Sequence, residues 1–287
     1  MFTDQPVTPA RLETLIDLLR SLPRAIDRAT AEALLQPEGL PGLTGSSDQA
    51  GKTIAAALQL GLILPEENRG DPLRLAFARG DARTTRDIVR SAIDSNVLGQ
   101  TEVEPYLAKF YSFLLQHGST DAGNDPKGWA DDFNQQVFGS VKPEMNNPFN
   151  NTKITGMHRW MQYCGLGWYD PEENFQCNPA ERVLRALPAI FGNEKNLSDD
   201  QFIESLSQQC PELDGGRIFR EVAEKTGFDT GHILSAGLGA ALLDLHIQGV
   251  IQLECSRDSG GWSLTKAGPA GVVDERMDRV RWTATAQ

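Results

Sequence analysis

Three times along this 287-residue chain, a helix-like run ends near a glycine and gives way to a short apolar stretch, a polar turn and a second strand-like stretch. In two of the three the turn is the same tetrapeptide, Pro-Glu-Glu-Asn, in "LGLILPEENRGDPLRLAF" and "CGLGWYDPEENFQCNP". Glycine tolerates the left-handed backbone that ends a helix, and the apolar residue after it can start a strand packed beneath. The third occurrence, "LLDLHIQGVIQLECSRDSGGWSLTK", lacks the tetrapeptide and keeps the order. The recurrence points to one structural unit used repeatedly.

The first unit begins with "TPARLETLIDLLRSL", where Leu12, Leu15, Ile16 and Leu19 have helical spacing, Thr8 suits an N-cap and Pro9 the first helical position. A short helix in "ATAEALL" follows. A third, in "SSDQAGKTIAAALQLG", turns Ile54, Ala57 and Leu58 inward. Strands are then expected at Leu62–Leu64 and in "LRLAF", with Leu73, Leu75 and Phe77 alternating, and "TTRDIVRSAIDS" closes the unit as a helix. The second unit has helices in "TEVEPYLAKFYSFLLQHG", opened by a Thr101/Glu104 capping box, in "WADDFNQQVF" and in "NTKITGMHRWMQYCG". A hairpin across "GLGWYDPEENFQC" and a helix "PAERVLRALPAIF" complete it. In the third unit "SDDQFIESLSQQCP" is capped by Ser198, "GGRIFREVAEKTG" follows, and "SAGLGAALLDLHIQG" is capped by Ser235 with Leu238, Ala241, Leu242 and Leu245 inward. Ile251 and Leu253 are expected to pair with a returning strand bearing Trp262 and Leu264.

Helix, helix, helix, hairpin is the order of a winged helix. The fold class expected is therefore mainly α with small β-hairpins, an α+β chain of three tandem winged-helix units at 1–98, 99–195 and 196–287.

Several chemistries lack their residues. "GLTGSSDQAGKT" is close to a phosphate-binding loop, but Ser46 stands where that loop needs glycine, Gly45 comes one residue early and no strand precedes it. It reads as a helix start with Gly51 and Lys52 on the exposed side. Cys164, Cys177, Cys210 and Cys255 form no CxxC pair, and the spacings of His158 to Cys164 and His246 to Cys255 match no usual zinc signature. The cysteines read as reduced thiols of a cytoplasmic protein. No run nears the roughly 20 apolar residues of a membrane span, and the N-terminus has no secretory pattern. No catalytic residue, metal or cofactor is expected.

A net charge of −12 repels nucleic acid on average, so any DNA contact needs a local basic face. Arg69, Arg74, Arg79, Arg83, Arg86 and Arg90 cover the first turn and the helix after it, interleaved with Asp71, Asp81 and Asp87. Arginine suits bidentate phosphate contacts, and the competing reading is ion pairing on the helix surface. Lys52 on the first unit's third helix, and Lys153, His158 and Arg159 on the second unit's, are expected to be exposed. The nucleic-acid candidates are Lys52, Arg69, Arg74, Arg79, Arg83, Lys153 and Arg159. The third unit's equivalent helix has no Lys or Arg from Ser235 to Gly249, and Gly237 and Gly239 would admit a second backbone. It suits protein contact, with Trp262 and Leu238 the partner-binding candidates.

The segments "AALQLGLIL", "MQYCGLGWYD" and "LLDLHIQGVIQLE" resemble the winged-helix superfamily. Within it, "WMQYCGLGW" together with "LSAGLGAALLDLHIQGVIQL" resembles the DpdG family, which is encoded with bacterial gene clusters that place 7-deazaguanine in DNA and restrict foreign DNA. That resemblance implies a defence role and carries over no catalytic residue. The function expected is a non-catalytic adaptor or DNA-engagement subunit of a prokaryotic DNA-processing or anti-phage complex, with other subunits as partners and no membrane. A transcriptional regulator binding its operator directly, or an uncatalogued metal-dependent nuclease, are the alternatives.

Overall fold

A computed structural model describes residues 7–37, 48–68, 70–99, 106–117, 126–140, 149–172, 174–229, 231–256, 260–264 and 276–283. Eleven α-helices and seven short strands are assigned among them, and every strand pair is antiparallel. The Thr101/Glu104 box, Gly45, Ser46 and Arg69 lie outside the described residues.

Helix α1 (Pro9–Ser21) starts as its sequence dictates: the Thr8 hydroxyl accepts from the Arg11 amide, and Leu12, Leu15, Ile16 and Leu19 are buried. Such a cap contributes about 1 kcal/mol. Asp27 caps α2 (Arg28–Leu35) and Asp48 caps α3 (Gln49–Gln59). The Gln36 side-chain carbonyl accepts from the amides of Gln49 and Ala50, tying the end of α2 to the start of α3. Gly51 is buried rather than exposed, because it sits over the Asp48 carboxylate that accepts its amide at 2.7 Å.

The hairpin expected after α3 shrinks to a few rungs. Gly61 takes the left-handed conformation, Leu64 donates to Arg74, Ala76 donates to Leu62, and Ile63 bridges Leu75. Pro65 and Pro72 lack the amide hydrogens that would extend the ladder. A third segment joins instead, with the Leu73 amide donating to Ile26. Helix α4 (Thr85–Ile93) then runs without a break into a π-helical turn at Asp94–Leu98.

Helix α5 (Leu107–His117) has buried residues all round, as a helix surrounded by protein must. It packs against α10 (Arg217–Thr226), α11 (Ala236–Ile247) and α7 (Asn151–Cys164). Phe110 and Phe113 from α5 meet Phe133 of α6 (Pro126–Phe138), with ring centroids 5.2 and 5.4 Å apart. Helix α7 ends at Gly165, φ +69°, where a side chain would collide with Glu181. Strands β1 (Gly167–Tyr169) and β2 (Phe175–Cys177) form the expected hairpin, followed by α8 (Ala180–Phe191).

The last third departs from expectation at its sheet. Strand β3 (Asn196–Ser198) precedes α9 (Asp199–Gln209), whose Ser198/Gln201 capping box is complete. After α11, Gly249 is left-handed as expected, and β4 (Ile251–Glu254) begins. β4 does not pair with the Trp262 segment. Its partner is β7 (Arg279–Trp282), the middle strand of a β3–β7–β4 sheet, while β5 (Trp262–Ser263) pairs with β6 (Arg276–Met277). The reason lies in burial and competing partners. "RVRW" places Val280 in the core between two outward arginines, with four residues in register to β4. Ser263 instead exchanges backbone hydrogen bonds with His232 and Leu234, just before α11.

The buried hydrophobic residues form one cluster running from Val7 to Val280. Helices α4 and α7 pack together, as do α8 and α11.

Candidate nucleic-acid interface

The helices that precede the three glycine-to-strand junctions, α3, α7 and α11, differ in what they leave exposed. α11 is spent on internal packing. Leu238, Ala241, Leu242 and Leu245 are buried, and α11 packs on α5 and α8. A Cβ at Gly237 would lie 2.5 Å from Leu115 Cδ2 and 3.1 Å from the Cys177 carbonyl, so the close approach that glycine permits is to this chain's own α5 and β2. Leu238, expected at a partner surface, is fully buried within the chain. Trp262 is half-buried, with its indole N–H donating to Asp200 at 3.0 Å and its ring 5.1 Å from His232.

Helix α7 keeps an open stripe. Asn151, Thr152, Thr155, Arg159 and Gln162 are exposed. Lys153 and His158 are not, which corrects the expectation for both. Lys153 is 4 % exposed, its ammonium 5.1 Å from the centre of the Tyr106 ring. His158 stacks on Phe175 at 4.4 Å, and its Nδ1 lies 3.0 Å from the Tyr169 hydroxyl. Burial lowers its pKa to about 4, so it is neutral at pH 7. Contacts with α1, α4, α5 and α6 cover the rest of the helix, leaving a stripe narrower than the apolar pattern suggests. On α3, Lys52 is exposed along with Ala55 and Gln59. Neither α3 nor α7 contains an Asp or Glu, in a chain that has 39 of them.

Several arginines after the first hairpin are engaged within the chain. Arg74, Arg79 and Arg83 are exposed, but Arg79 donates to the Leu22 carbonyl and Arg83 grips Asp81 with Nε and Nη2, at 3.1 and 2.7 Å. Those bonds hold the Asp81 carboxyl down at about 2. Arg20 reaches the same loop through the carbonyls of Asp81 and Arg83. Arg90 donates to the Tyr163 carbonyl and pairs with Glu181, not with Asp87. Beside them an open groove of about 490 Å³ is lined by Pro9, Ala10, Glu13, Asp17, Thr85, Arg86 and Tyr163. Its carboxylates are taken, Glu13 by the Tyr163 hydroxyl at 2.7 Å and Asp17 by the Thr85 hydroxyl.

Sequence reading missed a buried charge network that joins distant parts of the chain. Arg182 of α8 donates to Glu212 at 3.0 Å and to the Gln209 carbonyl. Arg185 grips Asp94 of the π-helical turn at 3.0 and 3.1 Å and donates to the Cys164 carbonyl. Glu212 is fully buried, and burial raises its pKa while Arg182 opposes the rise. No spacing rule pairs residues so far apart in sequence. The local signal is a pair of arginines three residues apart on a largely apolar helix. Among the described residues no group of His, Cys, Asp and Glu is placed to hold a metal, and no helix is long and apolar enough to cross a membrane.

Against known proteins, the DpdG-like family model matches residues 2–259. No curated protein and no solved structure matches the chain.

Proposed function

The chain belongs to the DpdG-like family, and on that premise we propose that it is a non-catalytic subunit of a bacterial DNA-modification and defence assembly that engages DNA through α7. The family associates the chain with a DNA-modification cluster. One observation carries the finer reading: α7 is free of acidic residues and turns Asn151, Thr155, Arg159 and Gln162 outward along one stripe. These are the side chains suited to base edges, Arg to guanine and Asn or Gln to adenine. The order of three helices and a hairpin supports reading the units as winged helices, in which this helix is the one offered to the major groove. In the third unit the same position is buried, which suits a bracing role there.

Net charge of −12 opposes approach to DNA, so the isolated protein binds weakly at physiological salt and partner subunits supply the remaining affinity. This is the difference from an operator-binding regulator, which binds tightly alone. The test is titration of duplex DNA with the full chain across a salt series. Arg159→Ala is expected to weaken binding about tenfold, as for loss of one base or phosphate contact. Arg74→Ala with Arg79→Ala should flatten the log–log salt slope by about one unit per lost phosphate contact. Unchanged affinity in Arg159→Ala would remove α7 from the interface, and nanomolar operator binding by the protein alone would favour the regulator.

A further inference from the structure

The β1–β2 hairpin shows a different chemistry from α7. Trp168 and Tyr169 are 47 % and 39 % exposed, among the large hydrophobic residues the chain leaves in solvent. Consecutive strand residues point to opposite faces, so the hairpin carries an aromatic ring on each side. It is firmly seated: Phe175 and Cys177 are buried, and the Tyr169 hydroxyl meets His158 Nδ1 at 3.0 Å. A hairpin held this way loses little backbone freedom on contact.

The hairpin's own segment carries charge of one sign. From Trp160 to Glu181 the sequence contains Asp170, Glu172, Glu173 and Glu181 and no Lys, Arg or His. Glu181 is paired with Arg90. The Asp170 carboxylate accepts from the Asn174 amide and the Gln176 side chain, both at 2.8 Å, and these bonds lower its pKa and keep it ionised. Glu172 is exposed on the turn. An aromatic face beside fixed carboxylates attracts a cation twice, through the ring and through the charge. It repels phosphate, whether of nucleic acid or of an anionic lipid.

We propose that this hairpin docks a segment of a protein partner in which Arg or Lys adjoins an apolar residue, the cation over Trp168 and between Asp170 and Glu172. The proposal is independent of DNA contact by α7, and its test separates the two. The full chain is titrated with a labelled decapeptide of alternating Arg and Leu, with the Glu-Leu counterpart as control. The Arg-Leu peptide is expected to bind and to perturb tryptophan emission. Trp168→Ala and Glu172→Lys should each weaken binding about tenfold, the order of a partly desolvated cation–π contact. Duplex affinity should be unchanged in Trp168→Ala and reduced in Arg159→Ala. Thermal unfolding verifies that both hairpin variants fold, and if Trp168→Ala does not, Glu172→Lys carries the test. Equal peptide affinity in wild type and variants would overturn the proposal. So would loss of duplex binding in Trp168→Ala, which would make the hairpin a nucleic-acid contact. A change from oligomer to monomer in sedimentation would make its occupant a second copy of this chain.

Discussion

Helices α7 and α11 occupy the same place in the same local order, each capped by Asn or Ser, each followed by a left-handed glycine and a strand. One presents a polar stripe to solvent. The other is wrapped by α5 and α8 until little but its two ends, Ala236 and Ile247, stands clear. Equivalent local grammar therefore does not mean equivalent use. What separates them is which neighbour packs on each, and with it whether the helix can meet anything outside the chain.

The contrast is broken most forcefully by placing a charge on each helix. Leu242→Asp in α11 buries a carboxylate with no partner and should abolish cooperative unfolding of the whole chain, because its core is one cluster. Thr155→Asp on the open stripe of α7 should leave the melting temperature within about 2 °C, an ordinary surface change. Equal effects on the two would erase the distinction.

A second effect sharpens it from the inner face of α7. Folding moves the His158 pKa from 6.5 down to about 4, so between these values the unfolded chain binds the extra proton. The stability tied to neutral His158 is complete above pH 6.5 and is lost as pH falls towards 4, a change of about 3 kcal/mol. Denaturant midpoints measured across that window should fall in wild type, and His158→Phe should flatten that part of the profile. An identical slope in the variant would mean that other groups carry the acid sensitivity.

The smallest effect probes the close approach on α11. Gly237→Ala adds one methyl against Leu115 and the Cys177 carbonyl and should cost about 1–3 kcal/mol by overpacking. Since alanine favours helix, a gain in stability would show that α5 and β2 yield there. The fall would then be absent from chemical denaturation.

Much of this fold was legible. Thr8, Ser198 and Ser235 cap the helices they were expected to cap, and Gly165 and Gly249 turn left-handed where strands begin. These are interactions within a few residues, so local sequence carries them. The β4 pairing was not legible. Ser-Gly-Gly between alternating segments is a sound hairpin signal, yet β7 offers a buried Val280 and a longer register from far along the chain. Exposure was legible in part: Arg159 and Lys52 are exposed as expected, whereas Lys153, Leu238 and the buried Arg182–Glu212 contact show that side-chain access follows packing between segments apart in sequence.

Sequence alone determined the helical elements, their caps and the repeated helix–glycine–strand order, because these depend on periodicity and on backbone preferences within a turn or two. Only the tertiary structure decided which of the repeated helices stays open, which tryptophan faces solvent and which charges are paired across the chain, since these depend on surfaces brought together from distant parts of the sequence. Gly237 against Leu115 and Arg185 against Asp94 are such meetings. Burial at those contacts removes α11 from solvent and leaves α7 and the Trp168 hairpin exposed.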